Sequence, residues 1–307
     1  MPSSGSETGI MLLTQTGIGL LGNISLLCLC NSTLLTGHNV KPTNLILMQL
    51  VSANFLILFS GGIPHTMAAF GWKYFLDDTG CKCIFYFHSV AIGVSFSTIC
   101  LYYGFQVIKL NPSIWRWMEL KFRSRKFISF CCFLCWILQL LINSCVLILT
   151  NGPLNGNYRS VKNNSGFCSW NIQESLVGSL TVVIYFFPHF MSLGFLIWAG
   201  SFLVLFLHRH KQRVQRICSS RLSPRPPYEA RATRSILVLM SSFVMFYSAY
   251  IIVIIWVTLA AQRSLWVLNS FVFMEPSFPT LFPFVLISSN TRASQLCLAC
   301  RARKSVS

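Results

Sequence analysis

The chain has 307 residues, of which 54% are hydrophobic and 10% charged, with a mean hydropathy of +0.61 and a formal net charge of +17. A soluble domain carries roughly 25% charged residues, and one this poor in charge would expose large apolar patches. The balance excludes an ordinary soluble globule, and nucleic-acid binding with it, because the basic residues fall between apolar runs instead of forming one face.

In chain order, runs free of Asp, Glu, Lys and Arg are each longer than the ~20 residues that a helix needs to cross the hydrocarbon core. The last of them is interrupted only by Glu275. Backbone groups in lipid must be bonded internally, so each run is expected to be a helix. The expected fold is an all-α membrane protein, a single domain over 1–307 forming a seven-transmembrane helix bundle. Its spans lie near 10–31, 43–64, 82–108, 127–150, 178–207, 235–260 and 267–288. With seven spans, one side collects 19 Lys and Arg and the other 5. The positive-inside rule then places the N-terminus outside and the C-terminus in the cytoplasm. No basic leader precedes the first apolar run, so that run is expected to act as an uncleaved signal-anchor.

The first span contains Asn23 and the second Asn54. Each is expected to pair inside the bundle, since an amide facing lipid is costly. The second span ends at Gly61-Gly62-Ile63-Pro64, expected to be a break at the outer interface. The outer stretch that follows mixes aromatics with Asp77 and Asp78 and suits a cap on the bundle mouth. Of thirteen cysteines, only Cys81, Cys83 and Cys168 fall on the oxidising side. A Cys81–Cys168 disulfide is the favoured bridge, with Cys83 as the alternative partner. Asn-x-Ser/Thr occurs at Asn23, Asn31 and Asn163, and only Asn163 lies in an outer loop, as a candidate glycosylation site. In the tail, Cys297 and Cys300 sit beside Arg301, Arg303 and Lys304, a setting that permits palmitoylation.

Glu275 is the single acidic residue within a span, and a lone intramembrane carboxylate is a functional candidate. His88 lies two turns into the third span and is placed to pair with it across the bundle. His189, beside Pro188, is a weaker candidate. Phe85, Phe87, Phe186, Phe187, Tyr247, Tyr250 and Phe271 are available to line an apolar cavity. No catalytic, metal-binding or phosphate-cradling motif is present, so an enzyme is not expected, nor a cofactor. The three cysteines Cys131, Cys132 and Cys135 fit packing in an apolar helix.

Several stretches together carry a family resemblance. They include TLLTGHNVKPTNLIL at 33–47, GIPHTMAAFGWKYFLDDTGCK at 62–82, GVSFSTICL at 93–101 and FCCFLCWILQLLIN at 130–143. GPLN at 152–155, FCSW at 167–170, HRHKQRVQ at 208–215, EARAT at 229–233 and FPTLFPFVLIS at 278–288 complete the pattern. The chain resembles the vomeronasal type-1 receptors along nearly its whole length. The resemblance implies a G-protein-coupled receptor of the plasma membrane that senses a small pheromone-like molecule and couples to an inhibitory-type Gα. It places the ligand in the outer bundle, where the candidate residues are His88, Ile92, Phe187, Tyr250, Phe271 and Glu275. The heterotrimeric G protein would meet the basic inner segments, with Lys109, Arg116, Arg209, Lys211, Arg213 and Arg234 as candidate contacts. Three departures stand out. The family commonly has His-Arg-Val-Ala-Arg-Gly in the outer third span, where this chain has His88-Ser89-Val90-Ala91-Ile92-Gly93. Pro188-His189 stands for Pro-Asp, and Glu275 for a small or apolar residue. The alternatives are a degenerate, non-signalling receptor and a small-molecule transporter or channel.

Overall fold

A computed structural model describes residues 3–35, 42–72, 75–110, 124–151, 163–164, 168–170, 176–217, 228–259, 270 and 272–289. The longer helices are α1 (Ser3–Leu35), α2 (Pro42–Ile57), α4 (Asp78–Leu110), α5 (Arg125–Ile142), α7 (Leu176–Ile217), α8 (Tyr228–Leu259) and α9 (Ser277–Ser289). Two short ones are α3 (Ile63–Ala69) and α6 (Val146–Leu149). Among the described residues, five stretches are long and apolar enough to cross a membrane: Ser6–Ser32, Pro42–Ala69, Asp78–Ile108, Arg125–Cys145 and Phe187–Phe206. Leu237–Val253 in α8 and Val272–Ile287, which takes in most of α9, are shorter apolar helices.

The sequence itself explains why these segments are helical in lipid. The runs are nearly charge-free, and many of their hydroxyls bond carbonyls of the preceding turn, which lowers the cost of placing them in hydrocarbon. Ser25 donates to the Leu21 carbonyl at 2.7 Å, Ser52 to Met48 at 3.0 Å and Ser201 to Ile197 at 2.8 Å. Large apolar side chains point outward, among them Phe130, Phe133, Leu141, Trp198 and Leu205. That is the inverse of a soluble surface.

The helical expectation stands, with one small addition. Among the described residues between α6 and α7 are three two-residue strands, β1 (Thr150–Asn151), β2 (Asn163–Asn164) and β3 (Ser169–Trp170), in the antiparallel order β1-β3-β2. Their pairing gives extended backbone between helices the partners it needs.

One correction concerns Gly61-Gly62-Ile63-Pro64. The helix does not break there. Leu58–Gly62 forms a π-turn, closed by the Ile63 N–H on the Leu58 carbonyl, and α3 continues from it. Pro64 has no N–H to give, and it directly follows the widened turn as the second residue of α3. The end of α3 is a Schellman turn: Gly71 (φ +89°) donates to the Ala68 carbonyl at 3.0 Å and Trp72 to Met67 at 3.1 Å.

Helix α4 is the centre of the bundle and packs against α2, α5 and α7. Small residues Ser89, Ala91, Gly93 and Ser95 let its neighbours approach closely. Helix α1 lies against α2, α3 and α9, and α8 lies between α7 and α9. Polar side chains join these helices. Asn23 donates to the Pro279 carbonyl at 2.9 Å, Trp136 to Gln49 at 2.8 Å and Gln139 to Ser97 at 3.0 Å. Asn23 is therefore paired between helices as expected. Asn54 is not: it is fully buried, and neither amide atom finds a partner among the described residues.

Candidate functional site

Helix α4 begins at the end of the bundle that carries the disulfide. Asp77 accepts a hydrogen bond from the Gly80 N–H at 2.7 Å and so caps the helix start, while Lys82 reaches back to Asp78 at 2.7 Å. Cys81, in the first turn, is bonded to Cys168 with Cα atoms 5.8 Å apart, and both residues are buried. Of the two partners left open by the sequence, Cys168 bonds Cys81, and Cys83 is a free, exposed thiol one turn edge away. The bridge ties β3 to α4, with Phe75, Leu76 and Phe85 packed around it.

Two turns further along α4 is His88. Its Nε2 pairs with Oε1 of Glu275, and its Nδ1 lies 3.2 Å from the Ser60 hydroxyl. Glu275 sits in the turn just before α9, and α1 holds that turn. Gln15 donates to the Phe273 carbonyl at 3.2 Å and to the Ser277 hydroxyl at 3.1 Å. Ser60 and Gly61 belong to the π-turn, so three elements meet at the pair. All are buried, His88 at 8% exposure and Glu275 at 5%. A fourth polar side chain, His65 of α3, lies within electrostatic range of both His88 and Glu275. An ion pair taken from water into this setting holds only because its remaining polar atoms also find partners. The Ser60 hydroxyl supplies one for His88.

Below the pair lies an aromatic cluster. Phe96 of α4 touches His189 of α7 (ring centroids 4.9 Å apart), Phe243 (5.0 Å) and Tyr247 (4.8 Å) of α8. Phe278 of α9 closes it, 4.8 Å from Phe243. Edge-to-face contacts of this kind fix ring orientations as well as burying area. The cluster begins one residue after Ser95 and three after Glu275, so the pair and the cluster are consecutive layers.

Of the six candidate ligand residues, the structure brings together His88, Ile92 and Glu275. Ile92 is buried one turn below His88. Tyr250 joins them through Tyr247, whose ring is 6.1 Å from its own. Phe187 is not part of this group: it is 60% exposed, on the outside of α7 before Pro188. Phe87 is likewise exposed. Phe271 lies outside the described residues. The sequence singled out neither Ser60 nor His65 and gave His189 less weight than His88. Two glycines before a proline, in the middle of a span, were the available signal for a widened turn and a close approach. Nothing in the sequence indicated which side chain that turn would face.

At the other end of the bundle, α4 runs on to Leu110 and includes Lys109. Helix α7 extends to Ile217 and carries Arg209, which is exposed, with Lys211 and Arg213 after it. Arg234 belongs to α8. Arg116, Cys297 and Cys300 lie outside the described residues. Asn163 lies in β2, opposite Trp170.

Comparison with known proteins identifies the family. Residues 6–299 match the Vomeronasal organ pheromone receptor family. The chain is 55% identical over 300 residues to Vomeronasal type-1 receptor 1 of Gorilla gorilla gorilla and equally to that of Homo sapiens, covering 98% of this chain and 85% of each relative. It is 40% identical to human Vomeronasal type-1 receptor 4 over 94% of this chain and 96% of that one. At greater distance it is 28% identical to Olfactory receptor class A-like protein 1 of Danio rerio, over 92% of this chain and 89% of the other. With membrane-length helices around a buried polar pair, and matches that run nearly end to end, the chain belongs to the vomeronasal type-1 receptor family.

Proposed function

We propose that this protein is a chemosensory G-protein-coupled receptor of the plasma membrane with seven spans, its N-terminus outside and its tail in the cytoplasm. A small pheromone-like molecule binds in the outer half of the bundle, at His88, Ile92, Tyr250 and Glu275. The buried His88–Glu275 pair carries the proposal, because an ionisable pair this deep in a membrane bundle is costly to keep and serves function more often than stability. The Cys81–Cys168 bridge holds β3 at this end, and Asn163 of β2 is the glycan site.

Binding favours one of two bundle conformations, and the shift in population is the signal. The pair and the aromatic cluster beneath it join α4, α7, α8 and α9, so a ligand that separates His88 from Glu275 acts on the helices whose inner ends are basic. Lys109, Arg116, Arg209, Lys211, Arg213 and Arg234 contact the heterotrimeric G protein there, with a Gα of the inhibitory type. Cells carrying the receptor and a reporter Gα, screened with a small-molecule panel, are expected to show ligand-dependent activation. A receptor that reaches the surface and moves solute without G protein would replace this proposal with a transporter.

A further inference from the structure

We propose that Ser60 is the positioning residue of the ligand site, fixing His88 as the Nδ1–H tautomer so that the His88–Glu275 pair holds two protons and no net charge. It rests on the function proposed above only for the site's use; the chemistry stands on the geometry of the π-turn.

The Ser60 Oγ lies 2.6 Å from the Leu56 carbonyl oxygen and 3.2 Å from His88 Nδ1. A carbonyl only accepts, so the single hydroxyl hydrogen occupies the shorter line to Leu56. The oxygen therefore presents lone pairs to His88, and Nδ1 must carry a hydrogen to bond it. The other ring nitrogen, Nε2, faces Oε1 of Glu275. One proton lies on that second line. On the nitrogen it makes imidazolium and carboxylate; on the oxygen it makes imidazole and carboxylic acid. Both forms sum to zero charge and two protons.

Gly61 supports the same arrangement from the side. A Cβ on Gly61 would meet His88 Cε1 at 2.7 Å and Glu275 Oε1 at 2.8 Å. Cε1 is the ring atom between the two nitrogens, so the Gly61 backbone presses on the part of the ring that both hydrogen bonds share. Among the described residues, the other titratable side chains within electrostatic range are His65 of α3 and Tyr247 of α8.

A neutral pair has a consequence for signalling. A ligand that parts it can leave an imidazole and a carboxylic acid, two uncharged groups that a buried site tolerates far better than an isolated carboxylate. Without the Ser60 hydroxyl, Nδ1–H loses its acceptor. The ring then carries its hydrogen on Nε2, facing the carboxyl group of Glu275, and Nδ1 is bare.

The test is nitrogen NMR of the full chain in lipid nanodiscs, labelled with ¹⁵N-histidine, with no ligand added. The His88 signal is assigned by its loss in His88→Gln. Wild type is expected to show a protonated Nδ1. Ser60→Ala is expected to convert His88 to a bare Nδ1, and Ser60→Thr, which keeps the hydroxyl, to restore the wild-type signal. A bare Nδ1 in wild type overturns the proposal, as does a Ser60→Ala spectrum identical to wild type. If Ser60→Ala does not fold, the wild-type and Ser60→Thr spectra decide on the same criterion. A silent ligand screen would count against the receptor function and leave this result standing; a bare Nδ1 would do the opposite.

Discussion

Gly61→Ala puts a methyl group where the structure has no room. The added carbon would lie 2.7 Å from His88 Cε1 and 2.8 Å from Glu275 Oε1. Normal carbon contacts begin near ~3.5 Å, so ring or carboxylate must retreat by roughly 1 Å. Neither can move freely. His88 is held by Ser60, and the Glu275 turn is held by Gln15 through Phe273 and Ser277. Overpacking of this kind costs about 1–3 kcal/mol, and more if the pair opens. At about 2–4 °C per kcal/mol, the thermal midpoint of the purified protein in nanodiscs should fall by roughly 2–12 °C. Gly17→Ala is the internal control. It lies in α1 with nothing within 4 Å of the added carbon, and it should gain up to about 1 kcal/mol from helix propensity. Tryptophan fluorescence during heating reads both. A Gly61→Ala protein that melts at or above wild type would refute the packing on which the site is built.

Cys168→Ala removes a bridge that closes a separation of 87 residues, worth up to roughly 4–5 kcal/mol of loop entropy, and should abolish surface expression. Cys83→Ala, at a free exposed thiol, should leave expression unchanged, and flow cytometry of an epitope-tagged receptor separates the two. His88→Leu or Glu275→Leu alone strands a buried partner and should destabilise by about 3–5 kcal/mol, whereas the double variant should recover most of that loss. Equal melting of the double and single variants would show that the two side chains do not interact. Trp136→Phe deletes the bond to Gln49 and should cost about 0.6–1.7 kcal/mol, the range for hydrogen bonds between membrane helices; no change in thermal midpoint would place that indole outside the energetics.

Helices and their order were legible because lipid demands long charge-free runs, and charge marks their ends. Helix ends were less so. Helix α1 begins at Ser3, ahead of the apolar run expected to start near 10, and α7 runs past the interface to Ile217. Polar residues continue a helix as readily as apolar ones once its hydrogen-bond ladder exists. The His88–Glu275 contact was legible because each residue is out of place in a span, and two costly groups in one bundle find each other. Ser60 was not, since serines in spans are common and most bond the preceding turn. Phe187 was misleading for a related reason: lipid-facing and pocket-facing phenylalanines are identical in composition, and only the rotation of α7 about its axis distinguishes them. Asn54 had a reason to pair, and the described residues give it no partner.

The π-turn at Leu58–Gly62 also sets the angular phase of the outer second span. A turn of this type holds one residue more than an α-turn, and each residue of an α-helix advances about 100°. The face that α2 shows to α4 below the turn is thus decoupled from the face that α3 shows above it. Deleting one residue within Leu58–Gly62 would let Ile63 bond the Leu58 carbonyl as an ordinary α-turn and leave His65 and Thr66 facing as they do, whereas forcing the present sequence into an unbroken α-helix would swing both by about 100° about the axis. The part of the span beyond the turn therefore takes its angular phase from the width of this one turn, while Ile46, Leu50 and Val51 stay buried in the core below. Chimeras with relatives should accordingly be joined on the inner side of Leu58, so that the extra residue travels with the histidine and hydroxyl it orients.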